Sequence, residues 1–354
     1  MSSPSFVKAG LLTVALVITS LVSWELYVRA KGFDKSYDDE GAIWSDKRTM
    51  VYEPADRSTV FIGSSRIKFD LDIPAWETIT GDHAIQLACV GSSPLPVLHD
   101  LANDKNFKGK LVIDVTEGLF FSTSARNAET PQDNIKYYKD ETPAQWASFH
   151  INQALESQFV FLDKDRLSLN AELINLRIPN RPKVFQMPIF PPDFGRVKFN
   201  RQEYMTERFV NDTIQQNQVR GIWDFFRKRS KDAPVSGAKL DSILIAVKTS
   251  CDKIKARGGQ IVFVRTPSSG PYLAGEKKGF PREKYWDKLV AFTQCPGIHF
   301  EDYSAIAHFE CPEFSHLKQP DATVYTKNLI RILQEEKGWK FPKMTGDQSN
   351  LMNQ

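Results

Sequence analysis

Short apolar runs alternating with helical patterns constrain this chain more than any other feature. Thr59-Val60-Phe61-Ile62-Gly63 is the first, apolar without alternation, as a parallel strand buried on both faces must be. A short helix is expected from Asp70 to Thr78, limited by Pro74. Ala84 to Val90 is the second run, followed by Gly91-Ser92-Ser93 and a helical segment over Pro96 to Asn103. The third, Lys110 to Thr116, is the clearest. Gly259 to Arg265 reads as a fourth strand, preceded by a helix with Leu240, Ile243, Leu244, Val247 and Ile254 on one face, and Ile298 to Asp302 as a fifth. Pro320, suited to the first turn of a helix, opens a closing helix that runs to about Glu336. Strands alternating with helices predict a mostly parallel sheet covered on both faces, a flavodoxin-like three-layer α/β/α arrangement.

Residues 120–238 break this rhythm. They are rich in aromatics and amides, with prolines dense from Arg177 to Gly195, and read as a helical insertion between the third and fourth strands. The polar stretch 31–57 reads as a stalk, 58–338 as the α/β domain, and 339–354 as a flexible tail. At the other end, AGLLTVALVITSLV from Ala9 to Val22 carries no charge, and apolar residues continue to Val28. About 20 residues cross a hydrocarbon core as a helix, and Trp24 and Tyr27 suit its boundary. Residues 1–30 are therefore expected to be an uncleaved transmembrane anchor at the cell inner membrane, N-terminus cytoplasmic and main domain periplasmic. A cleaved signal peptide and a buried core helix are the alternatives; no small-x-small cleavage site follows the run, where Trp24-Glu25-Leu26 stands instead.

A net charge of +3 over 354 residues, with both signs interleaved, points away from a nucleic-acid partner. The basic cluster Arg227-Lys228-Arg229-Ser230-Lys231 reads as a solvated helix end. Four cysteines are too few for a disulfide scaffold; Cys89 reads as a core thiol, while Cys295 and Cys311 could pair in an oxidising compartment. His299, His308, Cys311 and His316 cluster in sequence, but their spacings fit no zinc site well, and no metal or cofactor is expected.

Ligands of open α/β sheets bind beyond the carboxyl ends of the strands. Gly63-Ser64-Ser65-Arg66, Gly91-Ser92-Ser93 and Thr116-Glu117-Gly118 occupy three such ends. Near the C-terminus, Glu313-Phe314-Ser315-His316-Leu317 sets a carboxylate three residues before a histidine. A serine nucleophile needs a base, and the base needs an orienting acceptor. These blocks together resemble the SGNH (GDSL-like) hydrolase superfamily, over roughly residues 58–118 and 258–336. The resemblance puts Ser65 in the nucleophile's place, His316 as base and Glu313, in place of aspartate, as its orienting acid. It also implies that the N–H groups of Ser65 and Gly91 face the oxyanion. The family's third block, Gly-x-Asn-Asp, is absent: Thr116-Glu117-Gly118-Leu119 stands there. The anchor and the Gly-Ser-Ser-Arg variant resemble exported branches that handle acyl groups on envelope polymers, often beside a membrane-bound O-acyltransferase. That implies acyl-ester chemistry, as esterase or O-acyltransferase, on a cell-envelope glycan or glycolipid; the alternative is a non-catalytic accessory subunit that binds glycan or docks on such an acyltransferase. Arg66 and Arg265, each just after a strand, are candidates for binding a substrate carboxylate or phosphate, or for structural ion pairs.

Overall fold

A computed structural model describes residues 4–176, 187–229 and 233–344. Part of the proline-dense patch (177–186), Ser230 and Lys231 of the basic cluster, and the tail from Thr345 lie outside the described residues. In chain order the strands are β1 (Ser58–Ile62), β2 (His83–Gln86), β3 (Lys110–Asp114), β4 (Arg196–Val197), β5 (Glu203–Tyr204), β6 (Gln260–Arg265) and β7 (Gly297–His299). Five of them form one parallel sheet in the order β2-β1-β3-β6-β7, and β4 and β5 pair as a small antiparallel ribbon. This is the doubly wound flavodoxin-like order expected from the alternation of strands and helices.

Alternate residues of each strand enter two separate cores, because successive side chains point to opposite faces of a sheet. Val60, Ile62, Leu111, Ile113, Ile261 and Phe263 share one core with helices Gly41–Thr49, Leu95–Asn103, Gly237–Lys255 and Trp286–Thr293. Phe61, Val112, Val262 and Val264 face the other core, built by Ser65–Asp70, Ile73–Thr80 and the closing helix Gln319–Glu335. Both faces of the sheet are covered, and the strands can be apolar along their whole length.

Three boundaries differ from the sequence reading. The stalk ends early: helix Gly41–Thr49 belongs to the domain, with Trp44 fully buried and its indole N–H donating to Leu87 O at 3.0 Å. Its charges are neutralised inside, Arg48 pairing with Asp100 and Asp104. The tail starts late, since Trp339 and Phe341 are buried and the Phe341 ring meets Trp76 edge-on at 5.3 Å. The insertion is not one body. The chain divides into a smaller unit, Met1–Asp38 with Thr142–Gln186, and a larger one, Asp39–Glu141 with Met187–Gln354. Helix Arg126–Asp140 therefore stays with the α/β unit, where Ile135 and Tyr138 pack on the first core.

Within the larger unit, the returning segment ties down the edge strand. Arg201 is buried and donates to Gln86 O at 2.8 Å and Ala88 O at 3.0 Å, satisfying carbonyls that edge strand β2 would leave open. In the smaller unit, helix Pro4–Ala30 contains a stretch, Phe6–Ala30, long and apolar enough to cross a membrane, exposed throughout except at Glu25 and Val28.

Candidate active site

The order of strands reverses at β1, which has β2 on one side and β3 on the other. The connections that leave the carboxyl ends of β1 and β3 run to opposite sides and open a crevice there. Gly63-Ser64-Ser65 sits at that point. A side chain at Gly63 would place its Cβ 2.6 Å from Asp114 Cβ, so only glycine lets β1 run this close to the end of β3. Ser64 caps the following helix and its hydroxyl meets Thr116 Oγ1 at 2.7 Å. Ser65 is the first residue of helix Ser65–Asp70, where a backbone N–H has no acceptor within the helix.

His316 reaches this point because the closing helix packs against helix Ser65–Asp70 and the loop before it runs along the same rim. Ser65 Oγ lies 2.8 Å from His316 Nε2, and His316 Nδ1 lies 2.9 Å from Glu313 Oε1. The consistent proton arrangement is Ser65 O–H donating to Nε2 and Nδ1–H donating to the carboxylate. Glu313 Oε1 also accepts the N–H of His316 at 2.7 Å and of Ser315 at 3.3 Å. Three contacts from other elements hold the loop: Leu317 N–H on Asp70 Oδ1 at 2.9 Å, Ser269 N–H on Phe314 O at 2.9 Å, and Arg220 on Pro312 O at 2.5 Å.

The imidazole is fully buried, between Phe69 at 4.5 Å and Phe194 at 5.7 Å between ring centres. Burial alone would push its pKa down, but Glu313 and then Asp70 outweigh it, and the net shift is upward. A histidine poised this way takes a proton readily, which general-base work requires. Asp70 is itself pushed up to about 7, by burial above all. Among the described residues its Oδ2 has no hydrogen-bond partner.

Sequence reasoning found Ser65, His316 and Glu313, and the structure brings all three together. Gly91 lies in the turn after β2, with φ 62° and open space where a side chain would be. Cys89, two residues before it, donates to Gly63 O at 3.2 Å, so both turns share one rim. Arg66 and Arg265 are not open to a substrate anion. Both are buried against Glu276, Arg66 through Nη2 and Arg265 at 2.6 Å. Arg265 also holds Glu117 at 3.0 Å. Glu117 lies in Thr116-Glu117-Gly118-Leu119, where the resembled family carries Gly-x-Asn-Asp, and its carboxylate belongs to this ion-pair cluster. A cleft of about 260 Å³ opens beside this cluster, lined among others by Glu117, Arg265, Trp286 and His299, but not by Ser65 or His316. The four cysteines are buried free thiols, Cys295 and Cys311 included. No three His, Cys, Asp or Glu side chains gather as a metal site among the described residues.

Trp223 was not legible from the sequence. Its indole N–H donates to Glu313 Oε2 at 2.5 Å, which satisfies the second oxygen of the acid. It comes from helix Thr213–Arg229, inside the former insertion and 90 positions from its partner, and no spacing rule connects the two. Asp70, at the far end of the helix that Ser65 begins, was missed for the same reason.

Fold and site together define a class: a doubly wound α/β domain with a serine, a histidine and a glutamate in line at its switch point. No protein-family model matches the chain, and no curated protein matches it in sequence.

Proposed function

We propose that this chain is a serine-dependent acyl-ester enzyme of SGNH type, an esterase or O-acyltransferase, acting on an acylated cell-envelope glycan or glycolipid. The observation that carries the proposal is the unbroken relay from Ser65 Oγ to His316 at 2.8 Å and from His316 to Glu313 at 2.9 Å. Ser65 attacks the ester carbonyl as His316 Nε2 takes its proton. The oxyanion forms at the Ser65 and Gly91 N–H groups, His316 returns the proton to the leaving alcohol, and an acyl-serine remains. Water then releases the acid in an esterase; a sugar hydroxyl takes the acyl group in a transferase. Glu313 keeps the imidazole in the required tautomer and stabilises its charged form. The protein's own residues supply every group in this scheme.

Helix Pro4–Ala30 is read as a membrane anchor, with the N-terminus cytoplasmic and the α/β unit periplasmic, where a membrane-bound O-acyltransferase is a suitable partner. The exposure of its apolar residues from Phe6 to Trp24 argues against a core helix. Glu25 accepts the N–H groups of Val160 and Phe161 at 3.0 and 3.1 Å, an attachment that argues against a cleaved leader.

A second reading, a non-catalytic subunit that binds glycan or docks on an acyltransferase, is favoured by one feature: Thr116-Glu117-Gly118-Leu119 carries no asparagine as an oxyanion donor, a loss worth about 10²–10³ in rate. Labelling with a fluorophosphonate decides between the two. The enzyme reading expects a phosphonyl adduct that Ser65→Ala abolishes without lowering the melting temperature. Folded wild-type protein that takes no label would leave the accessory role.

A further inference from the structure

We infer that the segment Thr142–Leu176 is a membrane-interface foot, a surface that fits the headgroup boundary of the lipid bilayer beside the anchor helix. The inference rests on reading helix Pro4–Ala30 as membrane-spanning and goes beyond it.

The first ground is an apolar surface without a protein partner. Helix Pro143–Glu156 buries none of its residues and carries a single charged side chain, Glu156, at its end. Its capping box, Thr142 with Gln145, marks a deliberate helix start. Ile151 and Leu155 follow one another at i, i+4, while Trp146 stands on the other side of the same helix; Leu169, Leu173 and Leu176 repeat at i, i+4, i+7. These six side chains are 44–75% exposed. A helix that turns to water normally carries charges on its outer face. Grouped exposed apolar side chains mark a surface that meets another apolar phase.

The second ground is depth, which names the occupant. At 1.5 Å per residue, the 20 residues from Ala9 to Val28 span about 30 Å, the thickness of the hydrocarbon core. That places Glu25 within one turn of the boundary, bracketed by Trp24 and Tyr27, whose rings stack at 5.5 Å. Glu25 holds Val160 and Phe161, Arg29 donates to Gln158 O at 2.8 Å, and Lys35 to Ser157 O at 2.5 Å. Helix Pro143–Glu156 thus ends within one turn of residues pinned at boundary level. Arg29, Lys31 and Lys35 follow within ten residues on the headgroup side and suit anionic headgroups. An uncharged helix with Trp, Ile and Leu outward, fixed at that depth, meets the composition of an interfacial helix.

The test uses the full chain in lipid nanodiscs, with a fluorophore on single introduced cysteines and quenchers at defined depths on the lipid. The parent chain, with its four buried thiols, gives the background. Ile151→Cys and Leu173→Cys are expected to be quenched by shallow-labelled lipid as strongly as Tyr27→Cys. Val17→Cys should be quenched by deep-labelled lipid and not by shallow-labelled lipid. If 151 and 173 are unquenched while 17 is quenched, the foot is refuted and the anchor stands. If 17 is unquenched as well, the anchor reading fails and takes the foot with it. Protection of 151 and 173 in native membranes without quenching in nanodiscs assigns the surface to a protein and overturns the inference.

Discussion

Glu313→Gln separates the charge of the relay from its geometry. The carboxylate accepts from both sides: three N–H groups meet Oε1 and the Trp223 indole meets Oε2. A glutamine side chain must therefore turn its NH2 toward one set of donors. Facing Trp223 loses one hydrogen bond and facing His316 loses three, so the amide oxygen stays on His316 and the tautomer is kept. What disappears is the negative charge opposite the imidazolium that forms during attack. At about 4 Å and an effective dielectric near 20, that interaction is about 4 kcal/mol, or about 10³ in rate. The pH profile moves as well. Burial is the strongest influence on His316 and acts downward; Glu313 is the first of the influences that oppose it. Without it the imidazole pKa falls, and the acidic limb of the profile shifts to lower pH. The assay is the second-order rate of fluorophosphonate labelling from pH 5 to 9, with a thermal melt at each pH. A labelling rate within threefold of wild type, or an acidic limb that moves up, would refute the assigned role of Glu313.

Trp223→Phe keeps the ring but removes the donor from a fully buried carboxylate oxygen, a hydrogen bond to a charged group worth about 1.5–3 kcal/mol. Labelling should slow by about 10- to 100-fold, and a rate equal to wild type would show that helix Thr213–Arg229 does not support the relay. Asp70→Asn tests linkage. The Asp70 pKa is raised to about 7, so its contribution to stability is present below about pH 4 and is lost as pH climbs through about 7. Three units amount to an upper bound on the order of 4 kcal/mol. The melting temperature of the variant should gain on wild type between pH 5 and pH 8, whereas parallel curves would contradict the raised pKa.

The sheet was legible because its central strands are short apolar runs, and burial on both faces removes any ambiguity of alternation. Helix Gly41–Thr49 was missed because its buried face includes Lys47 and Arg48, charges that read as solvent-exposed until their partners are known. Periodicity reports that a segment is helical but not which body it packs on, so the insertion seemed continuous where the structure divides it. Ser65 and His316, 251 positions apart, were connected by resemblance and not by spacing. Arg265 closes β6 and Arg66 lies in the helix after β1, but Glu276, which pairs with both, sits in helix Gly270–Gly279 with no signature of its own.

The Glu313–His316 pairing invites a helical explanation that the backbone refuses. The two residues are three apart, yet the segment is a turn, and Phe314 within it has φ 79°, a left-handed conformation unusual for any residue but glycine. Such a residue costs about 1–3 kcal/mol and persists only where its surroundings over-determine it. Here Ser269 N–H binds Phe314 O, Phe314 N–H binds Cys311 O at 3.0 Å, and the Arg220 guanidinium lies 4.3 Å from the ring centre. The reversal lets one carboxylate oxygen accept both the N–H and the Nδ1–H of His316. Gly270 is part of the support: it is also left-handed, at φ 56°, and a Cβ there would lie 2.8 Å from Phe314 Cδ1. Gly270→Ala therefore adds about 1–2 kcal/mol of backbone strain and pushes the Phe314 ring off its seat. The turn should relax, Glu313 should lose its simultaneous hold on both N–H groups, and labelling of Ser65 should slow at least tenfold. The melting temperature should fall by only a few degrees, since the two cores are untouched. Unchanged labelling together with that loss of stability would mean that the strained turn serves the fold and not the relay.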